Sequence, residues 1–156
     1  MKTLYLKDYG AAVNTAEDSA AAVSAALKAA ATLGEACEIA FESGVYNIDV
    51  NSLPATEIHV SNTIAEGNDR EKGECDSIKR RTPFLLRGMK NITINGNGAV
   101  IKSRGKMTQI ILKDCKNITF KNITFDYANP TVTEMTVTAV GKGYIDCKIS
   151  DEYPYR

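Results

Sequence analysis

The sequence has no tryptophan, a single histidine and no surplus of either charge. Nineteen basic residues face nineteen acidic ones in 156. Without a positive excess there is no general electrostatic attraction to nucleic acid or to an anionic membrane, so neither is expected as a partner. No apolar run approaches the roughly 20 residues that cross a bilayer. The N-terminus, MKTLYLKDYG, lacks the apolar core and small-residue cleavage site of a secretory leader. That leaves location open between the cytoplasm and export directed by a leader upstream of this sequence. Cysteine is scarce. Cys37, Cys75, Cys115 and Cys147 form no CxxC pair, and they are too few for a disulfide scaffold at this length. With His59 as the only imidazole, neither a zinc site nor another metal or cofactor is expected. The thiols read as reduced and mostly buried. What remains is an ordinary globular composition, 44% hydrophobic and 24% charged, in a chain about the size of one domain. Wholesale disorder and collagen-like structure are excluded.

The first stretch reads strand, helix, strand, strand. Leu4-Tyr5-Leu6 is a short strand and Asp8-Tyr9-Gly10-Ala11 a turn. Thr15 followed by Asp18 resembles a capping box, with Asp in the place of Glu or Gln. From Ala16 to Leu33 neither Gly nor Pro interrupts, and Ala20, Val23, Leu27 and Ala30 recur at helical spacing. Small residues on that face predict close packing on a flat surface, and Gly34 is placed to end the helix. Ile39-Ala40-Phe41 and Val45-Tyr46-Asn47-Ile48 follow as strands around a Ser43-Gly44 turn. Asn51 to Pro83 is polar and aperiodic, and reads as a long solvated surface loop.

The informative feature comes next. Phe84 to Ile94 is FLLRGMKNITI, and Ile110 to Phe120 is IILKDCKNITF. The offset is 26 throughout, and five of eleven positions are identical: Leu86/Leu112, Lys90/Lys116, Asn91/Asn117, Ile92/Ile118 and Thr93/Thr119. A fixed period of this size signals a repeat architecture. Each copy reads strand, turn, strand, with alternating inward residues (Ile92, Ile94; Ile118, Phe120; Ile123, Phe125). No helical crossover lies between the copies. Short strands, one winding per repeat and no crossover helices predict a mostly β fold, a right-handed parallel β-helix. Ile92 then sits on Ile118, and Asn91 on Asn117, whose amides form a ladder. That ladder accounts for two of the Asn-x-Thr triplets at Asn91, Asn117 and Asn122 better than glycosylation does. Three windings are visible: Ile39–Ile48, Phe84–Ile101 and Ile110–Phe125. The N-terminal α-helix caps the first. The period breaks at Thr131, where Val132 to Val140, Gly141-Lys142-Gly143 and Tyr144 to Ile149 read as an antiparallel β-hairpin. The expected division is 1–130, the cap and first windings, and 131–156, a hairpin beginning another element. Three windings are near the minimum for a stable stack, so the chain is expected to be the N-terminal part of a longer polypeptide whose remainder covers the open end.

Lys7-Asp8-Tyr9-Gly10-Ala11, the helix, and Ile39-Ala40-Phe41-Glu42-Ser43-Gly44-Val45-Tyr46 resemble the opening of the pectate-lyase-like β-helix superfamily, with Glu42 where proline is common. Val60-Ser61-Asn62-Thr63, Asn91-Ile92-Thr93-Ile94-Asn95-Gly96-Asn97-Gly98, Gly105-Lys106-Met107, and Asn122-Ile123-Thr124-Phe125-Asp126-Tyr127 through Pro130 follow in order. This series resembles the N-terminal part of glycoside hydrolase family 110. Two departures are Lys106, where arginine is expected, and Tyr127, where tryptophan is usual; the loop from Ile64 to Arg81 is also less regular. The resemblance implies an exo-acting glycosidase that removes terminal α-1,3-linked galactose with inversion. It further implies a β-helix interrupted by a β-barrel insertion, with the catalytic carboxylates on later windings.

Inverting hydrolysis needs two carboxyl groups about 6.5–9.5 Å apart, most simply on adjacent windings. At the 26-residue offset Asp114 faces Gly88 and Asp126 faces Val100. No stacked acid pair results, and no catalytic residue is assigned in this chain. The candidate substrate-binding residues are Asn62, Lys106, Asp126 and Tyr127, to which an oligosaccharide ending in α-galactose is the expected partner. Asp126 offers an acceptor and Tyr127 a stacking face, whereas the bland alternative is an aspartate bonding its own turn. Lys106, with Arg104, could meet sugar hydroxyls or a carboxylate, or form only a solvated basic turn. Asn62 matches a motif, yet loop asparagines commonly form turns. Two other readings stand beside the glycosidase. A β-helix polysaccharide lyase would need a basic residue beside clustered calcium-binding acids, and the acids here are dispersed. A non-catalytic carbohydrate-binding or adhesion module would show an exposed aromatic row, which seven tyrosines and four phenylalanines supply only weakly. Fold alone does not decide among them.

Overall fold

Residues one period apart lie side by side. In the computed structural model, which describes residues 1–58, 79–130 and 132–151, strand β6 (Phe84–Arg87) pairs in parallel with β8 (Ile110–Lys113), Phe84 against Ile110 and Leu86 against Leu112. The long β7 (Lys90–Arg104) pairs in parallel with β9 (Lys116–Tyr127), Ile92 against Ile118 and Ile94 against Phe120. Expectations placed on residues 59–78 and 152–156, including Asn62, His59 and Cys75, lie outside the described residues.

The earlier part of the chain joins the same stack. β1 (Lys2–Tyr5) runs parallel to β2 (Cys37–Ala40), and β2 parallel to the first half of β7, Ile39 against Ile94. β3 (Val45–Asp49) runs parallel to the second half of β7, Tyr46 against Ile101. Three successive passes of the chain, through β2–β3, β6–β7 and β8–β9, therefore lie in parallel and in register, so the described residues are mostly β with one α-helix. A short antiparallel pair, β4 (Thr56–Glu57) with β5 (Lys79–Arg80), stands apart from them.

The turn between the two strands of each repeat explains which residues recur. Gly88 and Asp114 occupy the same left-handed position, with φ of 62° and 55°, and so do Asn91 and Asn117, both at 55°. Gly, Asn and Asp are the residues that adopt this conformation at least cost. The expected ladder is present: Asn117 Nδ2 donates to Asn91 Oδ1 at 2.8 Å.

The 26-residue register does not persist. Beyond Asn95 it shifts, and Ala99 faces Ile123. Gly96, Asn97 and Gly98 stand opposite Asn122 alone, a bulge of two extra residues inside one continuous strand. A side chain at Gly96 would overlap the Asn122 carbonyl and the Ile123 side chain. As a result the partner of Asp126 is Lys102, not Val100.

Helix α1 spans Ala20–Leu33 and buries Ala20, Ala22, Val23, Ala26, Leu27 and Ala30, the small-residue face expected. It ends at Gly34 in the left-handed region, φ 65°. It begins four residues later than the sequence suggests, because the preceding residues have other partners. Thr15 Oγ1 accepts from Glu17 N, and Asp18 Oδ1 accepts from both Ala20 N and Asp49 N. Asp18 also bridges in parallel to Asn47, whose Nδ2 donates to Thr15 O at 2.6 Å. The segment serves as an extra edge beside β3 instead of a first helical turn.

The interior is aliphatic with an aromatic cluster. Ile39, Ile48, Ile92, Ile94 and Ile101 are buried. Phe84 meets Phe120 and Phe125 edge-on, each at 5.6 Å between ring centres, and Phe41 meets Tyr46 likewise at 5.2 Å. Burial pushes the Tyr46 hydroxyl pKa up, opposed by its bond from Glu42 N. The thiols divide: Cys37 is buried, Cys115 half-buried and Cys147 exposed, which corrects the expectation of mostly buried cysteines. The cause lies in position, since Cys115 is in the outermost pass and Cys147 in the hairpin. That hairpin, β10 (Met135–Gly141) with β11 (Tyr144–Ile149), is antiparallel as expected, with an irregularity between Val137 and Ala139.

Candidate functional site

Where β7 ends, the chain turns through Gly105 (φ 91°) and returns as β8. This turn and the β5 arm border an open cavity of about 660 Å³. One wall carries Lys79, Arg80 and Arg81, and the other Lys106, Met107 and Thr108, with Ala55 at the edge. The walls are tied together by Thr108 N, which donates to Arg81 O at 3.0 Å, and by Thr82 Oγ1, which donates to Gln109 O at 3.3 Å. The Arg81 guanidinium is anchored in turn: Nη1 donates to the carbonyls of Leu53 and Val50. Ser103, fully buried, donates to Gln109 Oε1 at 3.0 Å, and Gln109 Nε2 is buried without a partner among the described residues.

The candidate residues sort cleanly against this geometry. Lys106 is exposed and lines the cavity. Tyr127 reaches the same turn from β9, its hydroxyl donating to Met107 O at 2.7 Å. Asp126 is exposed beside it, and its Oδ1 accepts from Tyr127 N at 2.8 Å. That bond is the local, backbone-directed use weighed against a ligand role, although a carboxylate retains further acceptor sites. The structure thus brings Lys106, Tyr127 and Asp126 to one end of the stack, while Asn62 lies outside the described residues. Arg104 is occupied elsewhere, donating to Ala16 O at 3.0 Å. The sequence reading missed Arg81 and Thr108 as wall residues. The available signal was the Lys79-Arg80-Arg81 run immediately before β6, which read as part of a solvated loop.

The cavity wall described holds four cations and no carboxylate. On the adjacent pass the residue facing Asp126 is Lys102. Among the described residues no three or more His, Cys, Asp or Glu side chains gather to hold a metal ion, and no helix is long and apolar enough to cross a membrane.

No protein-family model matches the chain. Individual proteins do. Alpha-1,3-galactosidase A of Streptomyces avermitilis is 32% identical over 154 residues, covering 96% of this chain and 23% of that protein. Alpha-1,3-galactosidase A of Bacteroides thetaiotaomicron is 31% identical over 129 residues, covering 83% of this chain and 22% of that protein. Alpha-1,3-galactosidase B of Phocaeicola vulgatus is 23% identical over 162 residues, covering 97% and 25%. The chain therefore spans about a quarter or less of the length of the curated relatives it matches.

Proposed function

We propose that this chain is the N-terminal portion of an exo-acting glycosidase of family 110, which removes terminal α-1,3-linked galactose with inversion. The observation that carries the reading is similarity along 83–98% of the chain to proteins named alpha-1,3-galactosidase. Parallel passes in register, one per repeat, support a right-handed parallel β-helix of the pectate-lyase-like kind, with α1 covering its first winding. Residues 1–130 form the cap and first windings, and 131–156 begin a β-barrel-like insertion. The remainder of the polypeptide stacks on β8 and β9 and carries the two catalytic carboxyl groups.

In this reading Asn62, Lys106, Asp126 and Tyr127 contact the sugar. The acid and base of an inverting enzyme flank the scissile bond with a water between them, and adjacent windings beyond β9 are the natural place for such a pair. The test compares the 156-residue chain with the protein extended by its downstream reading frame on an α-1,3-galactobioside. The short chain is expected to show no turnover. The longer one should release galactose first seen as the β-anomer by proton NMR. Turnover by the short chain, or no galactose from the longer one, rejects the assignment.

A further inference from the structure

The repeat stacks cations on cations. Arg87 lies opposite Lys113 on the neighbouring pass, and Lys90 opposite Lys116. All four are exposed. Opposed positions on adjacent passes are one strand separation apart, about 4.8 Å, and like charges so placed repel. None of the four side chains forms a hydrogen bond or ion pair among the described residues. Two acids are near: Glu35 lines a hollow with Arg87 and Lys90, and Asp114 lies between Lys113 and Lys116 in the chain. Neither forms an ion pair with any of the four. The backbone beneath the cations is fixed from pass to pass. Gly88 N donates to Lys113 O at 2.9 Å, Lys116 N to Met89 O at 3.0 Å, and Asn117 Nδ2 to Asn91 Oδ1 at 2.8 Å. The residues between the cations serve the interior: Met89 is buried, and the half-buried Cys115 donates its thiol to Leu86 O. The charges therefore form two short rows along the stack axis. Packing does not require them, since uncharged polar side chains suit exposed positions without the repulsion.

We propose that these rows bind an acidic polysaccharide, a linear sugar polymer carrying carboxylate or sulfate groups, laid along the stack axis. A linear polyanion presents its charges in sequence, as the rows present theirs. Single-stranded nucleic acid would call for aromatic side chains on which bases stack, and neither Arg87–Lys90 nor Lys113–Lys116 contains one. The choice of a sugar polymer rests on the carbohydrate reading above, whereas the rows themselves rest on register alone.

Calorimetry on the 156-residue chain tests this with four probes: alginate, a sulfated galactan, a neutral galactan and single-stranded DNA. At least one acidic polysaccharide is expected to bind about tenfold or more tighter than both the neutral galactan and DNA, and to lose most of that advantage between about 0.02 M and about 0.3 M salt. The two acidic polymers separate carboxylate from sulfate recognition. Lys90→Gln combined with Lys116→Gln should cut the affinity about tenfold. The same pair should raise the melting temperature of the free chain by about 1–3 °C at low salt, because the repulsion between passes is gone. Lys142→Gln combined with Lys148→Gln, on the hairpin, removes equal charge and should leave binding unaltered. No binding, neutral galactan or DNA bound as tightly as the acidic polysaccharides, an equal loss from the hairpin pair, or a melting temperature that does not rise overturns the proposal. Each of these outcomes leaves galactose release by the extended protein, and so the glycosidase reading, intact. Acidic-polysaccharide binding with no galactose released by the extended protein rejects that reading and not the cation rows.

Discussion

Asn91 and Asn117 each perform two functions, and the two can be separated. Both hold left-handed backbone, φ 55°, and their side chains form the 2.8 Å amide bond between passes. Replacing Asn91 with alanine removes the bond, worth about 1 kcal/mol, and puts a residue without asparagine's local side-chain bonding into a backbone region that then costs about 1 kcal/mol more. The expected loss is about 2 kcal/mol in urea unfolding. Asn91→Gly keeps the backbone at ease and should lose about half as much. If alanine is tolerated as well as glycine, the backbone argument fails. Glu38 offers a second residue-level test, through pH. Its carboxyl pKa is held below the ordinary value chiefly by a hydrogen bond from Lys121, against the opposing effect of burial, with help from Asn95 and from the Lys121 charge. The Lys121 Nζ–Oε2 distance is 3.0 Å, and the Glu38 side chain is 15% exposed. A carboxyl with a folded pKa below its unfolded value, about 4.3, stabilises fully above that value and loses its contribution as pH falls through the folded pKa. Stability measured from about pH 6 down to about pH 3 should therefore fall more steeply for the native chain than for Glu38→Gln. Parallel curves would show that this three-strand contact contributes nothing.

At the scale of elements, the bulge in β7 shows where the sequence was readable and where it was not. The repeat made the pairing of Phe84 with Ile110 and of Ile92 with Ile118 legible, because equivalent residues in a stacked repeat meet their own kind. The α1 face and the β10–β11 hairpin were legible from periodicity and from the glycine turn. Asn95-Gly96-Asn97-Gly98 carries the same composition as a turn, and nothing local distinguishes a turn from a bulge inside a strand. The difference arises from Asn122 on the neighbouring pass, against which Gly96 lies too close for any side chain. That contact is long-range, so the register of Asp126 was not available from spacing alone. The cavity was hidden for the same reason, its walls coming from around residues 79–81 and 106–108. Gly96→Ala is expected to cost about 1–3 kcal/mol, the range for overpacking a close contact, measured by chemical denaturation. Gly143→Ala is a poor comparison because its φ is 86°. Exposed Thr136→Ala, expected within about 0.5 kcal/mol of the parent, is the better control. A neutral Gly96→Ala would mean that the two passes do not approach as described.

For the whole molecule, packing falls off from the cap toward the last pass. β7 has β2 and β3 along one side and β9 along the other, and its Ile94 and Ile101 are completely buried. β9 has a neighbour on one side only among the described residues, and none of its residues is buried. The hairpin goes further: Val137, Val140 and Ile145 are 51%, 76% and 58% exposed, and a two-stranded ribbon alone is marginal in water. Local opening free energies follow burial and neighbouring strands. Amide hydrogen exchange in the 156-residue chain should therefore be slowest in β7, faster in β9 and fastest in β10 and β11, spanning about a hundredfold or more. If further windings stack on β9 in the extended protein, protection of β9 should rise to that of β7, and the hairpin should become protected once its apolar face is covered. Addition of the downstream polypeptide that leaves β9 exchanging as an open edge would reject the stacking on which the catalytic proposal depends, whatever activity the longer protein shows.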